Sequence, residues 1–122
     1  MSALRAVERL QGMLAHLWMI RQFLKHADEV QEDEEMLDVH RLLYDSIRAV
    51  EPAFQRGDHE EYLRRLKGKL GKLRRGAEFF STEYKRVSTH TNFEMAAASF
   101  TAALDEMERV FAEVDSRNAS VD

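Results

Sequence analysis

The chain has 122 residues, 44% of them hydrophobic and 33% charged, with a formal net charge of −4. That length suits one domain, and the apolar share is enough to bury a core, so the whole chain need not be disordered. Cysteine is absent, which excludes disulfides, thiolate metal sites and cysteine nucleophiles, while one proline and five glycines disfavour a turn-rich β fold.

With so much charge, the apolar residues must be segregated onto helix faces. A first helix is predicted over 3–26, capped by Ser2, with Leu4, Val7, Leu10, Leu14, Leu17, Trp18 and Leu24 as its buried stripe. A second is predicted over 33–54, its acidic first turn suited to the positive end of the helix dipole. Its inner stripe reads Met36, His40, Leu43, Ile47 and Phe54, and Pro52 is expected to kink it or to start a short extra turn.

Gly57-Asp58 is the clearest break, and Asp58 with Glu61 reads as a capping box. The third helix is predicted over 59–87, on a stripe of Tyr62, Leu66, Leu70, Leu73, Ala77, Phe80, Tyr84 and Val87. Gly68, Gly71 and Gly76 lie off that stripe with no packing reason evident, and they allow a local break. Thr91 with Glu94 forms a second capping box for a fourth helix over 92–115, carrying Phe93, Ala97, Phe100, Leu104, Met107, Phe111 and Val114 inward. A frayed polar tail is expected over 116–122.

Four helices of matching length with short connections predict an all-α, antiparallel, up-down-up-down four-helix bundle. Arg5, Glu8 and Arg9 interrupt any signal-peptide core. The apolar stretch 13–24 is too short to span a bilayer and contains Arg21. These features predict a cytoplasmic protein with no membrane partner.

The topology brings the end of the first helix, the start of the second, the end of the third and the start of the fourth to one pole. There His26, His40, His90 and Glu94, with carboxylates from 28–38, could hold a divalent zinc, iron or manganese ion. The competing reading is a hydrogen-bonded core histidine at position 40, solvated helix ends at 26 and 90, and a capping Glu94. No paired Glu-x-x-His motif of di-iron bundles is present.

A second feature lies on the first helix. His16, Met19, Phe23 and His26 run along one line roughly opposite Leu10, Leu14 and Leu24, so the helix is apolar nearly all round over 13–24. A helix hydrophobic on both sides is buried on both sides, which predicts a homodimer or partner interface at His16, Met19, Ile20 and Phe23. Arg21 falls on the inner stripe and needs a partner or must snorkel outward along its stem; a buried pair with Glu34, Glu35 or Glu94 is the expected arrangement. The sharper alternative is an anion pocket of Arg21 and Lys25.

Charge is also segregated along the chain. An acidic run covers 28–38, and Arg64, Arg65, Lys67, Lys69, Lys72, Arg74 and Arg75 form a basic run. Arg64, Lys67 and Arg75 could touch phosphates. The negative net charge and the lack of interleaved aromatics argue against a nucleic-acid partner. The stretch Arg64-Arg65-Leu66-Lys67-Gly68 resembles the His-x-Leu-Lys-Gly stretch of histidine phosphotransfer domains, which are also four-helix bundles. The resemblance covers these positions alone, and Arg64 stands where the phosphorylated histidine would be, so it implies at most a phosphate-inert binding relative. No catalytic constellation converges. The sequence therefore points first to a non-enzymatic bundle acting through association as a homodimer, with a metal-binding bundle and phosphate or nucleic-acid binding as alternatives.

Overall fold

A computed structural model describes the backbone of residues 1–121 and the side chains of residues 1–116. Over these the chain forms α1 (Ala3–His26), α2 (Asp28–Gln31), α3 (Glu34–Gln55), α4 (His59–Val87) and α5 (Thr91–Val121). The four long helices make an all-α antiparallel bundle in which α1 and α4 each pack on both α3 and α5 and touch only lightly across the diagonal.

Side-chain caps set three of the four long helix starts. Ser2, Asp33 and Asp58 each accept from the backbone amide three residues on, at Arg5, Met36 and Glu61, each at 3.1 Å. Asp58 caps α4 without the reciprocal arm of a capping box, because the Glu61 carboxylate turns to Arg64 and Arg65 instead. The fourth start departs from expectation. Thr91 is already helical, and His90 takes the cap, its carbonyl accepting from the Phe93 amide at 3.0 Å and its Nδ1 from the Asn92 amide at 3.0 Å.

Pro52 does not break α3, which continues to Gln55. The helix ends at Gly57, whose φ of 71° lies in the left-handed region. The Gly57 amide donates to the Phe54 carbonyl at 3.1 Å and the Asp58 amide to the Ala53 carbonyl at 2.9 Å, the two bonds of a Schellman end. One short turn thus closes α3 and opens α4.

The core runs the length of the bundle. On α3 the fully buried positions are Met36, Val39, Leu43, Ser46, Val50 and Ala53, a heptad seam. His40 and Ile47, expected on that stripe, are only half-buried at its flank, and Phe54 is exposed. Leu4 of α1 is likewise exposed, while Val7, Leu10, Leu14, Leu17 and Leu24 are buried as expected. The α5 stripe is buried from Phe93 to Phe111.

Helix α4 is continuous through Gly68, Gly71 and Gly76. Gly76 does have a packing reason. It is buried, and a Cβ there would lie 2.6 Å from Leu42 Cδ2 and 3.7 Å from Phe100 Cζ, so its bare backbone lets α3 and α5 close on α4. The expected tail over 116–122 is helical backbone as far as Val121, and position 122 lies outside the described residues. The acidic connection after α1 holds the short helix α2, whose Val30 is fully buried and plugs that pole. No helix of the described residues is long and apolar enough to cross a membrane.

Candidate functional site

Helices α1 and α5 lie side by side, and each carries a long uncharged segment. Residues 10–20 of α1 and 95–104 of α5 contain no Asp, Glu, Lys or Arg, in a chain where a third of all residues are charged. Between Arg9 and Lys25 the single charge on α1 is Arg21, and that side chain is buried. Two shallow depressions, which share His16 and Ser99, lie between the two helices here. The upper one, about 310 Å³, is bordered by His16, Met19, Ile20 and Phe23 of α1 and by Asn92, Met95, Ala96 and Ser99 of α5. The lower one adds Met13, Ala102 and Ala103 and ends at Glu106.

The four residues singled out on α1 thus meet in one place with different exposures. Met19 is 65% exposed and His16 is exposed, whereas Ile20 is buried and Phe23 is half-buried. The Phe23 ring packs edge-on to Phe93 at 4.9 Å between centroids, which ties the end of α1 to the start of α5. Sequence reasoning missed Met95, 57% exposed on the opposite wall. It sits at the head of a run of small residues, Ala96-Ala97-Ala98-Ser99, whose amphipathic signal is weak. Beyond Glu106 the face is closed by charge: Arg9 binds the carboxylates of Glu106 and Glu113, and Arg109 also pairs with Glu106.

The histidine pole does not assemble as a ligand set. Among the described residues no group of three or more His, Asp or Glu side chains is placed to hold a metal ion. His26 and Glu94 are exposed at their helix ends. The His90 ring spends Nδ1 on capping α5. His40 lies 3.3 Å from Arg21 Nη1 through Nε2. Burial first, then the nearby charges of Arg21, Lys25 and Arg41, pushes its pKa below the usual imidazole value, against a smaller upward pull from Asp45. Because arginine only donates, Nε2 accepts that bond when deprotonated, with the ring proton on Nδ1.

Arg21 is 5% exposed, as its place on the inner stripe requires, but among the described residues no carboxylate pairs with it. Glu34 pairs with Arg41 and Glu35 with Arg86. Glu94 is solvent-exposed. The Arg21 guanidinium is met by neutral groups. Nη2 donates to Gln22 Oε1 at 2.6 Å, and the plane lies over the Trp18 ring with Cζ 3.9 Å from its centroid. Nε has no partner, the one buried side-chain polar atom so placed among the described residues.

Most of the basic run on α4 is neutralised in place. Arg64 and Arg65 share Glu61, whose carboxyl is held down to about 2 by those two hydrogen bonds. Lys67 binds Asp115 at 2.8 Å, and Arg74 bridges Asp105 and Glu108 of α5. Arg75 and Lys72 border a groove of about 390 Å³ between α3 and α4, but Glu35 and Asp38 form its other wall. Arg64 and Lys67 border one depression together with Glu60 and Asp115, and Arg75 lies apart from them in the α3/α4 groove. The acidic run is also tied down in part, with Asp33 at 2.5 Å from Arg86 of α4.

Compared with protein-family models, with curated proteins and with solved structures, the chain shows no significant match. The five-residue likeness to histidine phosphotransfer domains is thus not extended by a family match.

Proposed function

We propose that this protein acts by association, pairing with a second copy of itself through the α1/α5 face. The observation that carries this reading is the charge-free surface shared by 10–20 and 95–104, with Met19 and Met95 exposed together at one end of it. Methionine and charge depletion mark the buried centre of protein interfaces.

The face is also self-complementary, which favours a second copy over an unrelated partner. Its large side chains Met13, His16 and Met19 stand on α1, and the neighbouring antiparallel helix carries the small Ser99 and Ala102 with one large residue, Met95, at the end. A two-fold axis lying in the face and parallel to the helices sets α1 of each copy against α5 of the other, so that Met13 and His16 meet the small residues and Met19 meets Met95, an isologous contact. The paired charges of Arg9, Glu106, Arg109 and Glu113 then form a polar rim that orients the approach.

Sedimentation velocity and native mass spectrometry on untagged protein test this directly. The expected result is a concentration-dependent dimer. Met19→Asp and Met95→Asp each weaken it about 30-fold or more, as hot-spot residues do, with the helical circular dichroism unchanged. Phe54→Asp, at an exposed position on α3 away from this face, leaves it intact. A strictly monomeric protein at high concentration, or a dimer indifferent to both methionine changes, would overturn the reading.

A further inference from the structure

We propose that Arg21 and Lys25 form a binding site for a small oxyanion, a carboxylate or phosphate group, on the α1/α3 side of the bundle. This site is separate from the α1/α5 face, and it does not depend on pairing of copies.

The argument begins with an unbalanced charge. The Arg21 guanidinium is nine-tenths buried, permanently charged, and without a carboxylate partner among the described residues. A buried charge with no counter-ion is strongly unfavourable, and an apolar side chain of similar volume would pack at that position without the cost. The surroundings deepen the imbalance. Lys25, one turn further along α1, has no acidic partner among the described residues, and Arg41 of α3 is already taken by Asp38 and Glu34. His40, the closest ionisable group, offers a neutral nitrogen, and Asp45 forms no ion pair among the described residues.

The donor geometry says what is missing. Nε and Nη2 lie on the same edge of a guanidinium, the edge that receives two oxygens of a carboxylate or phosphate side by side. Here Nη2 is held by the neutral amide oxygen of Gln22 and Nε by nothing. An oxyanion that displaces the half-buried Gln22 amide satisfies both donors at once, and Lys25 contributes a second positive charge. Contact of the guanidinium with the Trp18 ring, Cζ lying 3.9 Å from its centroid, and burial restrain the fork beforehand, so less order remains to be lost on binding.

Trp18 is the sole tryptophan, so the emission comes from the one ring that lies against this guanidinium and Tyr44. The whole protein is titrated separately with inorganic phosphate and with acetate, at ionic strength held constant with chloride. Emission and thermal midpoint are followed together. The expected result is a saturable change in Trp18 emission and a rise in midpoint with phosphate, acetate or both, and neither with chloride alone. The anion that responds assigns phosphate or carboxylate as the ligand's group. Arg21→Met abolishes the response while keeping the helical circular dichroism. Lys25→Gln, at an exposed position where folding is not at stake, lowers the affinity about tenfold. Lys25→Glu places a carboxylate one turn from Arg21, raising the midpoint of the free protein and suppressing the anion response. No saturable response to either anion, or an affinity unchanged in Lys25→Gln, overturns the proposal. Because the readout is local to Trp18, a null result here leaves the association reading standing, and a monomeric protein leaves this one standing.

Discussion

At the residue scale, single side chains carry roles that depend on what they touch. Glu61 illustrates the point. It accepts from both Arg64 and Arg65, and its carboxyl is held down from the ordinary 4.5 to about 2. A carboxyl whose folded value is depressed adds stability above its unfolded value and loses it as the pH falls through the folded one. The contribution of Glu61 is therefore present above about pH 4.5 and disappears between there and pH 2. Asp33 shifts in the same direction, chiefly through its bond to Arg86, and adds to the same acid limb. Urea unfolding of the wild type and of Glu61→Gln at about pH 6 and pH 2.5 checks this. The gap between the two proteins is expected to close at the lower pH, and a gap of constant size would remove Glu61 from the acid transition. Its size stays modest, because these pairs face solvent.

At the element scale, α4 carries most of the glycine and half of the lysine and arginine, yet it is an unbroken helix. Two of its glycines separate propensity from packing. A Cβ at Gly68 meets open space, so Gly68→Ala is expected to stabilise the protein by about 0.5–1 kcal/mol. At Gly76 the same methyl lies 2.6 Å from Leu42 Cδ2, so the Leu42 side chain must move, and the propensity gain is offset. Gly76→Ala is expected to be less stable than Gly68→Ala, and no more stable than wild type. Thermal midpoints of the two variants decide it, and equal gains would show that Leu42 yields freely. The charge on α4 is spent locally and across helices, on Glu61 within α4 and on Asp105, Glu108 and Asp115 of α5. Such pairs fix the register of neighbouring helices more than they add stability.

At the scale of the whole molecule, charge covers most of the bundle and leaves 10–20 of α1 and 95–104 of α5 uncharged. Arg21, the one charge in the middle of α1, turns inward toward Trp18, Tyr44 and His40. If two copies pair through α1 and α5, part of the apolar surface of α1 leaves water only in the dimer. Stability then depends on protein concentration, because binding of the native state to itself draws the equilibrium toward folding. The thermal midpoint of the wild type is expected to rise with concentration over a hundredfold range, and that of Met19→Asp to stay flat. A flat wild-type curve would count against association through this face. The oxyanion proposed at Arg21 acts on the same equilibrium from the other side of α1, through ligand concentration instead.

The amino-acid sequence by itself determined the helices and their packing class. Ser2 and Asp58 mark two helix starts, Gly57 the turn between α3 and α4, and the apolar spacing of α5 its buried face. These are local signals, read from residues three or four apart. The line of His16, Met19 and Phe23 was legible for the same reason, since an apolar line opposite a core stripe shows in one helix alone. What only the tertiary structure decided depends on how helices are rotated against one another. The α3 seam is turned so that Val39, Ser46 and Val50 are buried and His40 lies at the flank, beside Arg21 instead of in the core. That rotation left Arg21 with neutral neighbours, sent Glu34 and Glu35 to other arginines, and set Met95 opposite Met19. Periodicity cannot choose among rotations that bury similar apolar area. The choice rests on contacts between distant residues, such as Leu42 against Gly76 and Phe23 against Phe93, which exist only once the helices have packed.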